Sequence, residues 1–236
     1  MTISTLVRAF GGVLFVAAAG PAIAGCSSAT VPPTVDPPEI QISALDGAVE
    51  DQSLAIDGAA IYIHKLTFIP CDPQAASIGT TAFPIDLFVF PPSSLTLDTA
   101  VSDYCSVHVE LEAGTSTKPA LDAASVHVTG SREDGAAFDV TSTVAATLDF
   151  VSMPIGKPLP ATKLFLGIDF DAWLANADVA GAEPDDDGAV IVNAGANTEL
   201  LAAFDDATAS AFALYVDENH DGTLTDAELE PVASAQ

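Results

Sequence analysis

Along residues 39–171, apolar side chains recur at every second position in short runs broken by Gly and Pro, the period of a half-buried β-strand. Residues 61–69 form one such run, rich in β-branched and aromatic types and ended by Pro70-Cys71. Residues 84–90 form another, stopped by Pro91-Pro92. Across 105–112 the alternation is clean: Cys105, Val107, Val109 and Leu111 fall on one face, and Ser106, His108, Glu110 and Glu112 on the other. Residues 125–129 repeat it with Val126 and Val128 inward, and 138–151 supply one or two strands. Leu164, Leu166, Ile168 and Phe170 make a further apolar face. Many short strands at close spacing predict an antiparallel β-sandwich rather than a helical bundle.

The last quarter is mixed. Residues 171–177 predict a short helix capped by Asp171, which would set Trp173 and Leu174 on the core. Pro184-Asp185-Asp186-Asp187-Gly188 is an acidic turn before a short strand at 189–192. Asn197 can cap a second helix with Leu200, Leu201 and Phe204 on one face. Residues 211–216 read as a strand or as a continuation of that helix, and Thr208 and Ser210 favour the strand. The expected fold is mainly β, with one or two short helices in the C-terminal quarter. With no internal repeat and no second boundary, 39–236 is expected to be a single domain.

The N-terminus carries a different pattern. Arg8 is the only charge in residues 1–25, Ala9 to Gly20 are apolar, and Ala22-Ile23-Ala24-Gly25-Cys26 closes the segment. The apolar stretch has the length of a secretory core, and Gly20-Pro21 spoils the roughly 20 residues a membrane span needs. The run ending at Cys26 resembles the lipobox of bacterial lipoproteins. That resemblance implies cleavage before Cys26 and acyl chains on its thiol and new amino end, leaving residues 1–25 as signal peptide. Ala22-Ile23-Ala24 also allows ordinary secretory cleavage. Cysteine parity favours lipidation. Of three Cys, a lipidated Cys26 leaves Cys71 and Cys105 as one pair, expected to form a structural disulfide in an oxidising compartment. Residues 26–38, rich in Ser and Pro, read as an extended tether holding the body clear of a bilayer.

Charge narrows the partners. Beyond Cys26 there are 33 acids and five bases (Lys65, Lys118, Arg132, Lys157, Lys163), a formal charge of 5 − 33 = −28. Such a polyanion has no basic patch for nucleic acid or anionic headgroups. Its carboxylates suit divalent cations, and its Val, Ile, Leu and Phe content suits a packed core.

Asp217-Glu218-Asn219-His220-Asp221-Gly222-Thr223-Leu224-Thr225-Asp226-Ala227-Glu228 resembles the calcium loop of EF-hand proteins. Calcium is a hard cation taking six to eight oxygens, and alternate side chains of a tight loop can point at one centre. The resemblance implies side-chain oxygens from Asp217, Asn219 and Asp221 and the carbonyl of Thr223. It further implies a water-mediated or hydroxyl contact from Thr225 and both carboxylate oxygens of Glu228. Gly222 would permit the sharp turn, and His220 would face solvent. Two departures stand out: no second loop pairs with this one, since Asp185-Asp186-Asp187-Gly188 lacks a Glu in register, and Pro231 cramps any exiting helix. A lone extracellular site of this type is expected to be weak, with a dissociation constant of about 0.1–1 mM, and to be structural.

Other chemistry is thinner. His108 and His127 lie on outward strand positions, and a hairpin pairing their strands would offer a copper or zinc site beside Glu110. His64 shares strand parity with Tyr62, Leu66 and Phe68 and is expected to be partly buried. Asp169 and Asp171 flank Phe170, and paired carboxylates such as these could serve a hydrolase, though they also suit the capping of the next helix. No G-x-S-x-G, H-E-x-x-H or Gly-rich phosphate loop is present. The sequence thus points to a non-enzymatic envelope lipoprotein holding one calcium ion, anchored in a lipid bilayer and serving an unidentified envelope or extracellular partner. Ser27 after the lipidated Cys, where an Asp would favour inner-membrane retention, directs the expectation to the outer membrane.

Overall fold

The computed structural model describes residues 39–45, 54–88, 92–96, 103–114, 121–152, 157–160, 163–219 and 221–236. Its first six strands are β1 (Glu39–Ala44), β2 (Leu54–Pro70), β3 (Ile78–Asp86), β4 (Ser93–Thr96), β5 (Tyr104–Leu111) and β6 (Val126–Arg132). Then follow β7 (Ala137–Ser142), β8 (Ala146–Val151), β9 (Leu164–Ile168) and helix α1 (Phe170–Asn176). The chain closes with β10 (Ala189–Val192), helix α2 (Thr198–Asp206), β11 (Phe212–Val216) and β12 (Ala233–Ser234).

These strands make two sheets packed together as a β-sandwich. One runs β12-β11-β9-β1-β4, and the other β10-β7-β6-β2-β5-β8 with β3 also paired to β2. Most pairings are antiparallel, but β1 runs parallel to β9 and β10 parallel to β7. Both parallel pairs join strands far apart in sequence, which alternation within a single strand cannot reveal. Between the sheets lies one core. Ile40, Ile42, Leu164, Leu166, Ile168, Phe212 and Leu214 from the first sheet meet Ile61, Leu66, Phe68, Val107, Val109, Val128, Val140 and Phe150 from the second.

The long strand β2 organises the larger sheet. Its first half pairs with β6 and its second with β5, while β3 pairs with Ala60 to Phe68. A register shift falls between Ile63 and Lys65. The extra residue lets Ile61 and Ile63 face the core and then, across a change of parity, Leu66 and Phe68 as well. His64 is that extra residue. Its side chain is 48% exposed, which corrects the burial expected from simple alternation.

A second shift, between Ile69 and Pro70, pairs Ser106 and Tyr104 with β2 and leaves Cys105 out of the ladder. Tyr104 is fully buried and Cys105 only partly so, which corrects the inward parity expected of Cys105. Freed from the ladder, Cys105 bonds Cys71, with Cα atoms 4.8 Å apart. The strand expected at 84–90 lies earlier, at Ile78–Asp86, and residues 89–90 are outside the described set. Pro84 fits inside it because β3 pairs on one side only, with β2, so no ladder donor is lost.

Helix α1 is capped by Asp169 rather than Asp171: the Ala172 N–H donates to Asp169 Oδ1 at 2.9 Å. Trp173 and Leu174 are fully buried as expected. Trp173 stacks on Phe204 at 4.3 Å, meets Phe212 edge-on, and donates its indole N–H to the Phe204 carbonyl at 2.6 Å. Asn197 does precede α2, but its backbone is left-handed (φ 51) and its side chain makes no cap bond. It donates instead to the Ile191 carbonyl at 2.8 Å. Residues 212–216 form the expected strand, although Thr208 and Ser210, which favoured it in the sequence, lie in a short 3-10 turn just before it.

Candidate functional site

The segment 217–228 joins β11 to β12, so a strand enters the loop and a turn followed by a two-residue strand leaves it. No helix flanks it on either side, unlike the helix-loop-helix frame of EF-hands. Asp217, the first loop residue, is 1% exposed, and its N–H donates to the Lys163 carbonyl, which extends the β9–β11 ladder by one step. Gly222 sits at φ 82 with its N–H donating to Asp217 Oδ2 at 2.9 Å. A Cβ there would come 2.6 Å from Pro92 Cδ, so both backbone sign and space demand glycine.

The alternate side chains turn onto the loop's own donors. Asn219 Oδ1 accepts from the Asp221 N–H at 3.0 Å, and Asp221 Oδ1 accepts from the Thr223 N–H at 2.9 Å and the Thr223 hydroxyl at 2.6 Å. Glu228 closes the ring. Its Oε1 accepts from the Glu218 N–H at 2.9 Å, and its Oε2 from the Thr225 N–H at 2.8 Å and the Thr225 hydroxyl at 2.7 Å. The Thr223 hydroxyl, with its backbone N–H, holds the Asp221 carboxyl below the usual carboxylate range. The Thr225 hydroxyl and N–H, with the Glu218 N–H, do the same for Glu228.

All the expected donors are hard oxygens, and the three carboxylates among them fall at the positions the resemblance assigns. In donor chemistry and order the loop fits a calcium ion. In arrangement the carboxylates rest on backbone donors, and among the described residues no group of three His, Cys, Asp or Glu side chains is gathered as a metal would need. Glu218 lies outside the donor set that the resemblance assigns, and Lys163 Nζ binds its carboxylate at 2.5 Å and its carbonyl at 2.8 Å. In the sequence Lys163 stands out only as one of five bases beyond Cys26. Its place beside Asp217 follows from the register of β9 against β11, a non-local pairing.

The histidines do not meet. In the larger sheet β2 lies between β5 and β6, so the hairpin that would have faced His108 with His127 does not form. His108 pairs with Thr67 and Asp149, and His127 with Ala60 and Thr141. Each instead contacts its own carboxylate: His108 Nδ1 is 3.3 Å from Asp149, and His127 Nε2 is 3.3 Å from Asp139. The His127 contact pulls the Asp139 carboxyl below its ordinary value despite partial burial.

Asp169 is occupied as the α1 cap, and burial, followed by the Asp169 charge, raises the Asp171 carboxyl. Burial and the same charge raise the Tyr215 phenol. These groups make a strand-to-helix corner. Elsewhere Arg132, Glu133, Asp134 and Ala180 line a cavity of about 360 Å³ at the β6–β7 turn. There Arg132 is tied to Asp134 and to the Ala182 carbonyl.

Cys26, the segment 1–25, the tether 26–38 and His220 lie outside the described residues. Among the described residues no helix is long and apolar enough to cross a membrane. Comparison of the chain with protein-family models, curated proteins and solved structures finds no match.

Proposed function

We propose that this chain is a non-enzymatic envelope lipoprotein. It is held to a bilayer, expected to be the outer membrane, by acyl chains on Cys26, and its β-sandwich is a calcium-stabilised binding or structural module for an envelope partner. The observation that carries the calcium part is the loop from Asp217 to Glu228. Oxygen side chains alternate along it, Gly222 makes the left-handed turn, and Glu228 reaches back to the Glu218 N–H. Asp217, Asn219 and Asp221 would supply side-chain oxygens, Thr223 its carbonyl, Thr225 its hydroxyl and Glu228 both carboxylate oxygens. Bound there, the ion would add positive charge to a short loop that carries five acids (Asp217, Glu218, Asp221, Asp226 and Glu228). Lys163 pairs with Glu218 at the start of the loop. The disulfide agrees with the exported compartment that the lipobox resemblance implies.

The test is thermal unfolding of the full chain in detergent, in about 10 mM calcium against chelator, a level above the ~0.1–1 mM range of weak extracellular sites. Calcium is expected to raise the melting temperature, and Glu228→Gln to remove most of the rise. Superimposable transitions would reject the site. Intact-mass analysis of the membrane-extracted chain is expected to show acyl chains on a protein starting at Cys26, and an unmodified chain starting at Gly25 would reject the anchor.

A further inference from the structure

The C-terminal tail touches both sheets. Beyond the loop, Val232 donates its N–H to the Leu214 carbonyl at 2.8 Å, and Ala233 and Ser234 pair with Leu214 and Ala213 on the outer edge of β11. One residue later Ala235 bridges Phe150 on β8, the end strand of the opposite sheet, and its N–H reaches the Phe212 carbonyl at 3.4 Å. A few backbone bonds of β12 therefore stitch together the two sheets at one side of the sandwich.

This stitch has little to hold it by itself. A two-residue strand is marginal. Its apolar payload is small: Ala233 is fully buried, Val232 and Ala235 are only partly so, and Leu229 is 45% exposed. Against that stands the ordering of the whole stretch between Val216 and Ala233, at about 1–2 kcal/mol per residue of backbone entropy, in a segment whose acids repel one another. The loop that delivers the tail is held by its own N–H and hydroxyl donors on carboxylates whose charges oppose one another, as Asp221 does Glu228. A cation that relieves this repulsion would strengthen the docking.

We infer that the loop from Asp217 to Glu228 is a calcium-dependent clasp: ion binding there drives β12 into the seam between β11 and β8, and ion loss releases it. This rests on the calcium reading of the loop and adds its consequence for the fold. In calcium-rich surroundings the seam is closed. In calcium-poor surroundings the edges of β11 and β8 lose their cover, while β6, β7 and β10, whose strand pairings do not include the tail, keep them.

Amide hydrogen exchange of the full chain in detergent, with calcium or with chelator, tests this alongside calorimetric titration with calcium alone as the probe. If docking is coupled to binding, an ion concentration ten times the dissociation constant slows opening of the seam about tenfold. That protection is expected at 212–216, 232–236 and 146–151, with 126–132 and 137–142 unchanged. Binding heat without a change at 232–236 would overturn the clasp and leave the ion site standing. Absence of both heat and protection would overturn the ion site and the clasp with it. Ala233→Asp, which puts a charge in the seam and leaves the loop intact, is expected to retain binding heat while 146–151 and 212–216 exchange as in chelator. Unchanged protection in that variant would also overturn the clasp.

Discussion

Asp205 illustrates how one side chain can weigh against the fold it belongs to. Its carboxylate accepts from the fully buried Ser142 hydroxyl at 2.5 Å, and Ser142 in turn receives the Val144 N–H. Burial raises its pKa above the ordinary value, the Ser142 bond offsets part of that, and neighbouring Asp206 adds to it. With the folded-state pKa above the unfolded one, the charged form opposes folding at neutral pH. That penalty fades as pH falls through the folded pKa and is gone below the unfolded value of about 4. Asp205→Asn keeps the acceptor and removes the charge. It is expected to melt higher than the parent at pH 7, with the difference closing as pH falls to about 4. A variant less stable at pH 7 would mean that the ionised pair with Ser142 is favourable. Neither residue stood out in the sequence, since a Ser on a strand and an acid in a helix join only when α2 lies against β7. The loop residues were legible for the opposite reason: their spacing within one turn is local, and Gly222 at φ 82 sits where the pattern put it.

At the level of elements, caps and bulges decide what alternation leaves open. Asp169 and Asp171 are equally placed in sequence to start α1, and only backbone geometry selects Asp169, whose extended φ and ψ aim its oxygen at the Ala172 N–H. Asp169→Ala is expected to lose about 1 kcal/mol in urea unfolding, within the usual range for a lost cap. Asp171→Asn is expected to lose nothing, because burial and the Asp169 charge already disfavour its ionised form. Equal losses in the two variants would move the cap to Asp171. Strand identity was read well wherever alternation was undisturbed, as in β5 from Val107 onward, in β6 and in β10. It failed at His64 and Cys105, where single extra residues shift the ladder, because a bulge is specified by the partner strand and not by its own sequence.

For the molecule as a whole, charge and core pull in opposite directions. The chain bears 33 acids and six bases, and most of the acids lie on a surface wrapped round one apolar interior. Self-repulsion of such a surface disfavours the compact state and is screened by salt. Unfolding in chelator is therefore expected to shift to higher temperature between low and physiological ionic strength, as the Debye length falls from about 30 Å to about 8 Å. A flat response would show the charges to be locally compensated, as the pairs Lys65–Glu110 and Lys163–Glu218 are. Composition and short-range periodicity by themselves determined a strand-built acidic body, the twelve-position oxygen loop and the cysteines available to pair, because each is written in neighbouring residues. Only the tertiary structure decided that β2 separates His108 from His127, that Lys163 meets Glu218, and that the tail bridges β11 and β8. Those juxtapositions depend on which distant strands hydrogen-bond and in what register, and burial of the whole core sets that register, beyond the reach of any local pattern.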